Sequence, residues 1–306
     1  MAIPARSPWF CCFSSERECF GAPRIARCIV LLLTLIDRYV SNHDYGLSDG
    51  TIEQLGIAAR AWSRFLGRTA HVADFRPDTL NAYLDWLRVN RAPDTLRTRR
   101  SALLMLWRYA YENDLAKEAP RKIRKRRPIR RAPRAWSVEQ VRCLFDAAGA
   151  MRGKWRGVTW NQSLWTESLM RAGYDTGLRL ADLLALRYDQ VAPIVTVMQH
   201  KTQRPVVIVL RPATIAMIDQ AVTDHGHALC WPLWASRDAF YRYMQRVIAS
   251  AGLSGSFKWL RRSAITAAER VTPGAGTRLA GHAARATTEQ WYLDVSQLSP
   301  PVPPPL

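Results

Sequence analysis

Long apolar runs are missing from this chain of 306 residues. Its most apolar stretch, residues 28–36, is nine residues long, whereas a membrane-spanning helix needs about 20. Arg24 and Arg27 precede the stretch, as in a secretory signal, but no small-residue cleavage site follows it. We therefore expect no association with a membrane and interpret the stretch as a buried first helix.

Cysteine is scarce and unevenly placed. Four of the six cysteines lie within the first 28 residues, and the other two, Cys143 and Cys230, stand alone. This distribution excludes a disulfide framework and indicates a reducing compartment. His225, His227 and Cys230 have a spacing found in zinc sites, but no fourth ligand lies at a usual interval. We expect no metal and no other cofactor, and interpret that segment as a structural loop.

Acidic residues are too few to balance the basic ones. The chain has 25 Asp and Glu against 44 Lys and Arg, which gives a formal net charge of +19. Such an excess is typical of proteins that bind a polyanion, most often nucleic acid, with a membrane surface as the weaker alternative. Hydrophobic residues make up 48% of the chain, so it is expected to fold. Its length favours two domains.

Proline and charge divide the chain into four segments. Residues 1–26 contain three prolines and no apolar period, which predicts an irregular arm. Residues 27–119 contain four segments with helical apolar spacing, which predicts a helical domain. Residues 120–134 are mostly Lys, Arg and Pro, which predicts an extended basic linker between domains, with a localisation signal as the alternative. Residues 135–306 form the second domain, with a C-terminal tail.

The last helix of the first domain has its charge at one end. Three arginines occupy its first turns and apolar residues fill the later ones, so one end can face phosphate while the other fills a core. A solvated basic face is the alternative. Lysine and arginine in the linker can bind a polyanion by releasing counterions. The residues expected to contact nucleic acid are Arg97, Arg99, Arg100, Lys122, Arg124, Lys125, Arg126 and Arg127.

The second domain is predicted to be mainly helical, with one small antiparallel β-hairpin. Ser137 and Gln140 have the spacing of a capping box at its first helix. Gly177 can end a later helix, which places Arg179 at the start of the next one, close to free backbone NH groups. Two β-branched runs within 194–210 flank the polar turn HKTQR, which predicts a hairpin.

The motifs TGLR, HKT, KWLRR and AGH, followed by a tyrosine, occur in this order along the chain. The order resembles that of the tyrosine recombinase (phage integrase) family, over residues 136–295. The helices before it look like that family's core-binding domain. The resemblance implies a helical core-binding domain and an α+β catalytic domain. It also implies a site-specific DNA recombinase that breaks and rejoins DNA through a 3′-phosphotyrosyl intermediate.

The resemblance also implies which groups would bind the phosphate. Arg179 and Arg261 match the two arginines of the family, with Arg262 as the rival of Arg261. A guanidinium suits this task because its planar fork binds two oxygens and keeps its charge. Asp182, three residues after Arg179, is expected to orient an arginine, with a cap or surface role as the alternative.

The remaining matched residues would move protons or attack phosphorus. Tyr292 matches the nucleophile, although it lies ten residues after His282, one more than in many members. Lys201, at the tip of a mobile hairpin, matches the general acid, and His282 would bind a phosphate oxygen or assist the tyrosine. Lys258 stands where the family more often has histidine. Lysine retains a positive donor there but is a poor base while protonated, which leaves the acceptor of the tyrosine proton open.

As partners, the resemblance implies double-stranded DNA at specific recombination sites and a homotetramer on paired sites. We expect such a protein in the cytoplasm, with the nucleoid. The alternative is a catalytically impaired DNA-binding protein of the same fold that acts as a regulator, favoured by Lys258 and the long His282–Tyr292 interval. A metal-dependent nuclease would need clustered carboxylates, and the sequence has none.

Overall fold

The chain divides into two compact units, Met1–Arg130 and Arg131–Leu306, in a computed structural model. The division falls within the predicted linker, and the functions expected of the two domains stay predictions. The predicted arm 1–26, Arg126, Arg127 and the end of the tail lie outside the described residues. The structure describes residues 30–43, 46–125, 132–153, 155, 157–233 and 235–298.

Four α-helices and one short 3₁₀ helix, Val72–Asp74, are described in the first unit. Ser48 caps the second helix by accepting a hydrogen bond from the Thr51 amide, and prolines occupy the first turn of the third and fourth helices. The predicted helical pattern is therefore confirmed, because the signals that begin these helices are local. The helices are α1 (Leu32–Ser41), α2 (Asp49–Leu66), α3 (Pro77–Asn90) and α4 (Pro93–Glu112).

Aromatic side chains fill the core of the first unit. Trp62 and Trp107 are fully buried. Trp62 meets Tyr83 edge to face at 5.2 Å, and Trp107 stacks on Phe75 at 5.5 Å between ring centroids. Trp62 also lies 6.2 Å from Phe75, so these rings join α2 to α3 directly and to α4 through Phe75, and each buries a large apolar area.

The start of the predicted linker is bound to the first unit rather than free. The Asn81 side chain donates to the Lys122 carbonyl and accepts from the Arg124 amide, at 3.2 and 3.0 Å. Arg124 also forms an ion pair with Asp85 at 2.5 Å. Ile123 packs against the helical core. We call residues 121–125 the basic strap, because they lie along α3 and α4 instead of extending into solvent.

The second unit is mainly helical with a two-stranded antiparallel sheet, which confirms the predicted fold class. Ser137 and Gln140 form the predicted capping box. The strands are β1 (Ile194–Met198) and β2 (Pro205–Val209), paired so that Ile194 faces Val209. The helices are α5 (Val138–Gly149), α6 (Gln162–Thr176), α7 (Leu180–Leu184), α8 (Pro212–His225), α9 (Arg237–Ser250), α10 (Lys258–Val271), α11 (Ala275–Ala280) and α12 (Arg285–Trp291).

Helix α6 lies in the middle of the second core. Trp165, Leu169 and Met170 are fully buried there, and α6 packs against α5, α8 and α10. Residues Val206 and Ile208 of β2 turn their side chains into the same core, while Val207 and Val209 are exposed on the outer face of the sheet. This core fixes the ends of α6, α10 and the hairpin relative to one another.

None of the helices within the described ranges combines the length and the apolar character needed to cross a membrane.

Candidate active site

Arg179 is held at the start of α7. Gly177 ends α6 in the left-handed conformation, with φ of 56°, and Arg179 follows as the N-cap of the next helix. The Arg179 Nη1 atom donates to Gln199 Oε1 at 2.6 Å and lies 3.9 Å from Asp182 Oδ2. About a fifth of the arginine side chain, 21%, stays exposed, so the guanidinium is oriented but accessible.

Arg261 is buried on α10, with 6% of its surface exposed. Its Nη1 donates to the Gly177 carbonyl, and its Nη2 donates to the Ala280 carbonyl at 3.0 Å. Burial lowers the pKa of Arg261 to about 10, helped by the nearby charge of Arg179. The guanidinium therefore keeps its charge at neutral pH. The neighbouring Arg262 is only half-buried.

His282 follows Gly281 and lies against Arg261. Its Nε2 is 3.3 Å from Arg261 Nη2, and its Nδ1 is 2.8 Å from Thr288 Oγ1. Since a guanidinium can only donate, Nε2 must accept, and the proton of the neutral ring sits on Nδ1, facing Thr288. Burial, then the charges of Arg261 and Arg179, lowers the pKa of His282 to about 4. The imidazole is thus neutral at physiological pH.

Tyr292 lies directly after α12, beside His282 and Arg261. Its ring centroid is 4.6 Å from that of His282, and the Arg261 Cζ lies 5.1 Å from the tyrosine ring centroid. The Tyr292 amide donates to the Thr288 carbonyl at 2.9 Å. Helix α12 ends at Trp291, since Tyr292 departs from helical geometry at the C-cap.

Four of the predicted site residues therefore converge. Arg179, Arg261, His282 and Tyr292 come from four separate elements and form one cluster of two guanidiniums, one neutral imidazole and one phenol. Such a cluster can bind an anion through the guanidiniums and present the phenol oxygen beside it.

Lys201 is exposed in the turn between β1 and β2. The turn is tied to its surroundings, because the His200 amide donates to Asp182 Oδ1 at 2.8 Å and Thr202 Oγ1 donates to Gln199 Oε1 at 2.8 Å. These two bonds attach the turn to α7 and to Gln199, and the expected mobility of the hairpin stays a prediction. No hydrogen bond or ion pair from the part of the chain that the structure describes holds the Lys201 side chain.

Lys258 is the first residue of α10 and is exposed, one helical turn before Arg261. Within the described ranges, no hydrogen bond or ion pair holds its side chain. The structure brings Lys258 to the same end of α10 as Arg261 but does not include it in the cluster, and its expected role stays a prediction.

Asp182 has a different main contact from the expected one. It is 3% exposed, and its Oδ1 accepts from the His200 amide rather than from an arginine. Its Oδ2 is 3.9 Å from Arg179, within ion-pair distance but too far for a hydrogen bond. Asp182 therefore holds the hairpin turn to α7 as well as balancing the charge of Arg179.

Two polar residues in the cluster were not found from the sequence. Gln199 binds Arg179 and the Ala280 carbonyl, and Thr288 binds His282 through its hydroxyl and Tyr292 through its carbonyl. Neither is charged or part of the recognised motifs. Their positions alone could have indicated a role in the site, because Gln199 lies two residues before Lys201 and Thr288 lies between His282 and Tyr292.

The arginines expected to contact nucleic acid on α4 differ in their surroundings. Arg97 is exposed. Arg99 donates to Gln54 Oε1 at 3.4 Å, and burial lowers its pKa. Arg100 donates from Nε to the Arg124 carbonyl at 2.9 Å, so its guanidinium is used to hold the basic strap. Of these three, Arg97 is exposed, whereas Arg99 and Arg100 are partly buried.

The basic strap presents further candidates. Lys122 and Lys125 are exposed, whereas Arg124 forms an ion pair with Asp85.

The His225 loop, which resembled a zinc motif, uses both ring nitrogens of His225 within the loop. Nδ1 accepts from the His227 amide, and Nε2 donates to the Cys230 carbonyl.

Solved structures of recombinases share the fold of this chain. A lambda integrase dimer bound to a COC′ core site matches with a TM-score of 0.69 and 18% identity, over 91% of this chain and 81% of that one. The Tn1549 transposon integrase in complex with circular intermediate DNA matches with a TM-score of 0.65 and 9% identity, over 86% and 95%. XerH site-specific recombinase bound to difH matches with a TM-score of 0.60 and 14% identity, over 81% and 78%.

No protein-family model and no curated protein matches the sequence. At identities this low, the structural matches establish the fold alone. The resemblance indicated by the motifs is confirmed at that level: this chain has the tyrosine recombinase fold of lambda integrase, XerH and the Tn1549 integrase.

Proposed function

We propose that this protein is a site-specific DNA recombinase that breaks and rejoins duplex DNA through a covalent bond between a 3′-phosphate and Tyr292. The observation that carries the proposal is the convergence of Arg179, Arg261, His282 and Tyr292 from separate elements. Each residue type suits phosphoryl transfer, because charge that builds on the nonbridging oxygens needs fixed positive donors.

In the proposed cleavage step, the Tyr292 oxygen attacks the phosphorus while the bond to the 5′-oxygen breaks. The phenolic proton is lost to solvent, which reaches the half-exposed ring. Lys201 gives a proton to the departing 5′-oxygen. In the rejoining step a 5′-hydroxyl attacks the phosphotyrosine as its proton returns to Lys201, the bond to Tyr292 breaks, and the tyrosine oxygen takes a proton from solvent. The number of ester bonds is unchanged, so resealing needs no external energy source.

The two guanidiniums would both bind the phosphate, but they differ in how firmly the protein holds them. Arg261 is nearly immobile, since burial and two carbonyl acceptors fix it, whereas Arg179 is partly accessible. The positive charge of Arg261 also lies beside the Tyr292 ring, with the Arg261 Cζ 5.1 Å from the ring centroid. His282 is neutral, so it acts as a hydrogen-bonding group rather than a cation, and Lys258 adds a positive donor at the end of α10.

The proposed partner is double-stranded DNA, bound by the basic first unit and by the active site. The net charge of +19 supports a polyanion as partner. The assembly proposed is a homotetramer on paired sites, because an exchange between two duplexes needs four strand cleavages. A lambda integrase tetramer bound to a Holliday junction shares this fold. The nucleoid is the proposed place of action.

A duplex selected by the purified protein from a random pool provides the test substrate. A nick next to the cleavage position lets a short fragment diffuse away, so the covalent intermediate accumulates. We expect a DNA–protein adduct that resists denaturation and forms equally well with a chelator present. Tight, sequence-specific binding without any adduct would instead indicate the catalytically impaired regulator, and cleavage abolished by chelator would indicate a metal-dependent nuclease.

A further inference from the structure

One buried amide joins the parts of the site that come from different elements. Gln199 has no exposed surface. Its Oε1 accepts from Arg179 Nη1 at 2.6 Å and from Thr202 Oγ1 at 2.8 Å, and its Nε2 donates to the Ala280 carbonyl at 3.0 Å. The same carbonyl accepts from Arg261 Nη2. Gln199 therefore contacts Arg179 directly and Arg261 through a shared acceptor.

The backbone of Gln199 also holds the turn that carries Lys201. Its amide donates to the Arg204 carbonyl, and its carbonyl accepts from the Gln203 amide, both at 2.9 Å. The Thr202 hydroxyl adds a third bond across the turn, because it donates to the Gln199 side-chain oxygen. A shift of the Gln199 side chain would thus move both Arg179 and the base of the Lys201 turn.

The amide has one orientation and little room to move. A guanidinium can only donate and a carbonyl can only accept, so Oε1 must face Arg179 and Nε2 must face Ala280. Gly281 has φ of 63°, and a Cβ added there would lie 3.0 Å from Gln199 Nε2 and 2.2 Å from Val206 Cγ2. The segment before His282 therefore packs directly on the amide.

The neutrality of this side chain matters for Arg179. A carboxylate at 2.6 Å would orient the guanidinium but would also cancel much of its charge. A neutral amide oxygen orients it and leaves the charge for an anion. The Oδ2 atom of Asp182 is 3.9 Å from Arg179, and the other carboxylate oxygen accepts from the His200 amide.

We infer that Gln199 is a positioning residue that holds Arg179, the Lys201 turn and the Ala280–Gly281 segment in the geometry needed for cleavage. This inference rests on the proposed function, because it concerns how the same site acts on a phosphodiester. Its consequence is that Gln199 acts on the rate of the chemical step and not on the affinity for DNA.

The test compares two substitutions of Gln199 with one of Gln203. Gln199→Met retains length without hydrogen bonds, and Gln199→Glu retains the acceptor but adds charge beside Arg179. Gln203→Met is the matched control, since Gln203 lies in the same turn and, among the described residues, its side chain bonds only the His200 carbonyl, at 2.9 Å. The measurements are DNA affinity, the single-turnover rate of adduct formation on saturating DNA, and amide hydrogen exchange.

Because a misplacement of about 1 Å can slow a reaction about 100-fold, both Gln199 variants should lose a factor of this order in adduct formation. The DNA affinity of Gln199→Met should stay close to that of wild type, because this substitution adds no charge beside Arg179. Amides of residues 199–204 should exchange faster in Gln199→Met, while the urea midpoint stays close to that of Gln203→Met. A substrate with a 5′-bridging sulfur, which needs no general acid, should recover part of the lost rate.

Equal rates in Gln199→Met and Gln203→Met would overturn the inference, as would a loss confined to DNA affinity. If Gln199→Met does not fold, Gln199→Glu carries the test, and a wild-type rate in that variant overturns it. Absence of any adduct in wild type would instead reject the proposed function. In that case, unchanged amide hydrogen exchange of residues 199–204 in Gln199→Met would also reject the inference that Gln199 holds the Lys201 turn.

Discussion

Replacing Gly281 by alanine should destabilise the second unit more than the same change at an open glycine. Gly281 has φ of 63°, and its added Cβ would meet Val206 Cγ2 at 2.2 Å, far inside contact distance. Val206 is 4% exposed and lies in the core, so it cannot rotate into solvent. The backbone before His282 would therefore have to move away from the hairpin.

The expected cost has two parts. Left-handed backbone costs a non-glycine residue roughly 1–2 kcal/mol. Forcing an extra methyl group into a packed core costs roughly 1–3 kcal/mol more. The sum is about 2–5 kcal/mol, a large part of the roughly 5–15 kcal/mol that stabilises an ordinary domain.

Urea unfolding of the full chain, followed by tryptophan fluorescence, measures this cost when the variants have equal m-values. Gly226→Ala is the control, because Gly226 has φ of 68° but nothing within 4 Å of an added Cβ, so only the backbone part applies. Adding Val206→Ala to Gly281→Ala should relieve part of the steric cost relative to Val206→Ala alone. Equal destabilisation by Gly281→Ala and Gly226→Ala would refute the close contact on which the geometry of the site depends.

Three further changes test other parts of the molecule. The pKa of His282 falls from 6.5 to about 4 on folding, so its contribution to stability is complete above pH 6.5 and is lost as the pH falls toward 4. His282→Gln should therefore reduce the change in the free energy of unfolding between these pH values, measured with urea. An unchanged pH dependence would contradict this. Arg100→Ala should speed amide exchange in the basic strap and weaken DNA binding, with little change in the salt dependence of DNA affinity. Arg97→Ala should reduce the slope of log affinity against log salt by about 0.9, as loss of one phosphate contact does. The reverse pattern would contradict the role of Arg100 in holding the basic strap. Lys201→Ala should abolish cleavage of ordinary DNA but cleave a substrate with a 5′-bridging sulfur, and failure of that rescue would reject Lys201 as the acid.

The fold class followed from local signals in the sequence. Prolines in the first turns of α3 and α4, the capping box at α5 and the β-branched runs of the hairpin each act within a few residues. Their effect does not depend on the rest of the chain. The order of the motifs then pointed to the candidate cluster, because the four residues that converge were already recognisable by type.

The contacts between these elements could not be predicted. The bond from Gln199 to the Ala280 carbonyl joins residues 81 positions apart, and neither end is charged. Arg100 looked like a phosphate ligand on the pattern of α4, yet it binds carbonyls of the strap 23 and 24 residues later. Such bonds depend on how packed elements meet, which spacing along one element does not encode.

The most direct test of the proposed function is the chemical identity of the residue that becomes linked to DNA. The adduct formed on the nicked duplex is digested with protease, and the peptide that carries the nucleotide is sequenced by mass spectrometry. We predict a 3′-phosphate ester on Tyr292 and no adduct with Tyr292→Phe, which retains sequence-specific DNA binding. A link to another residue, or an adduct that persists in Tyr292→Phe, would contradict the mechanism.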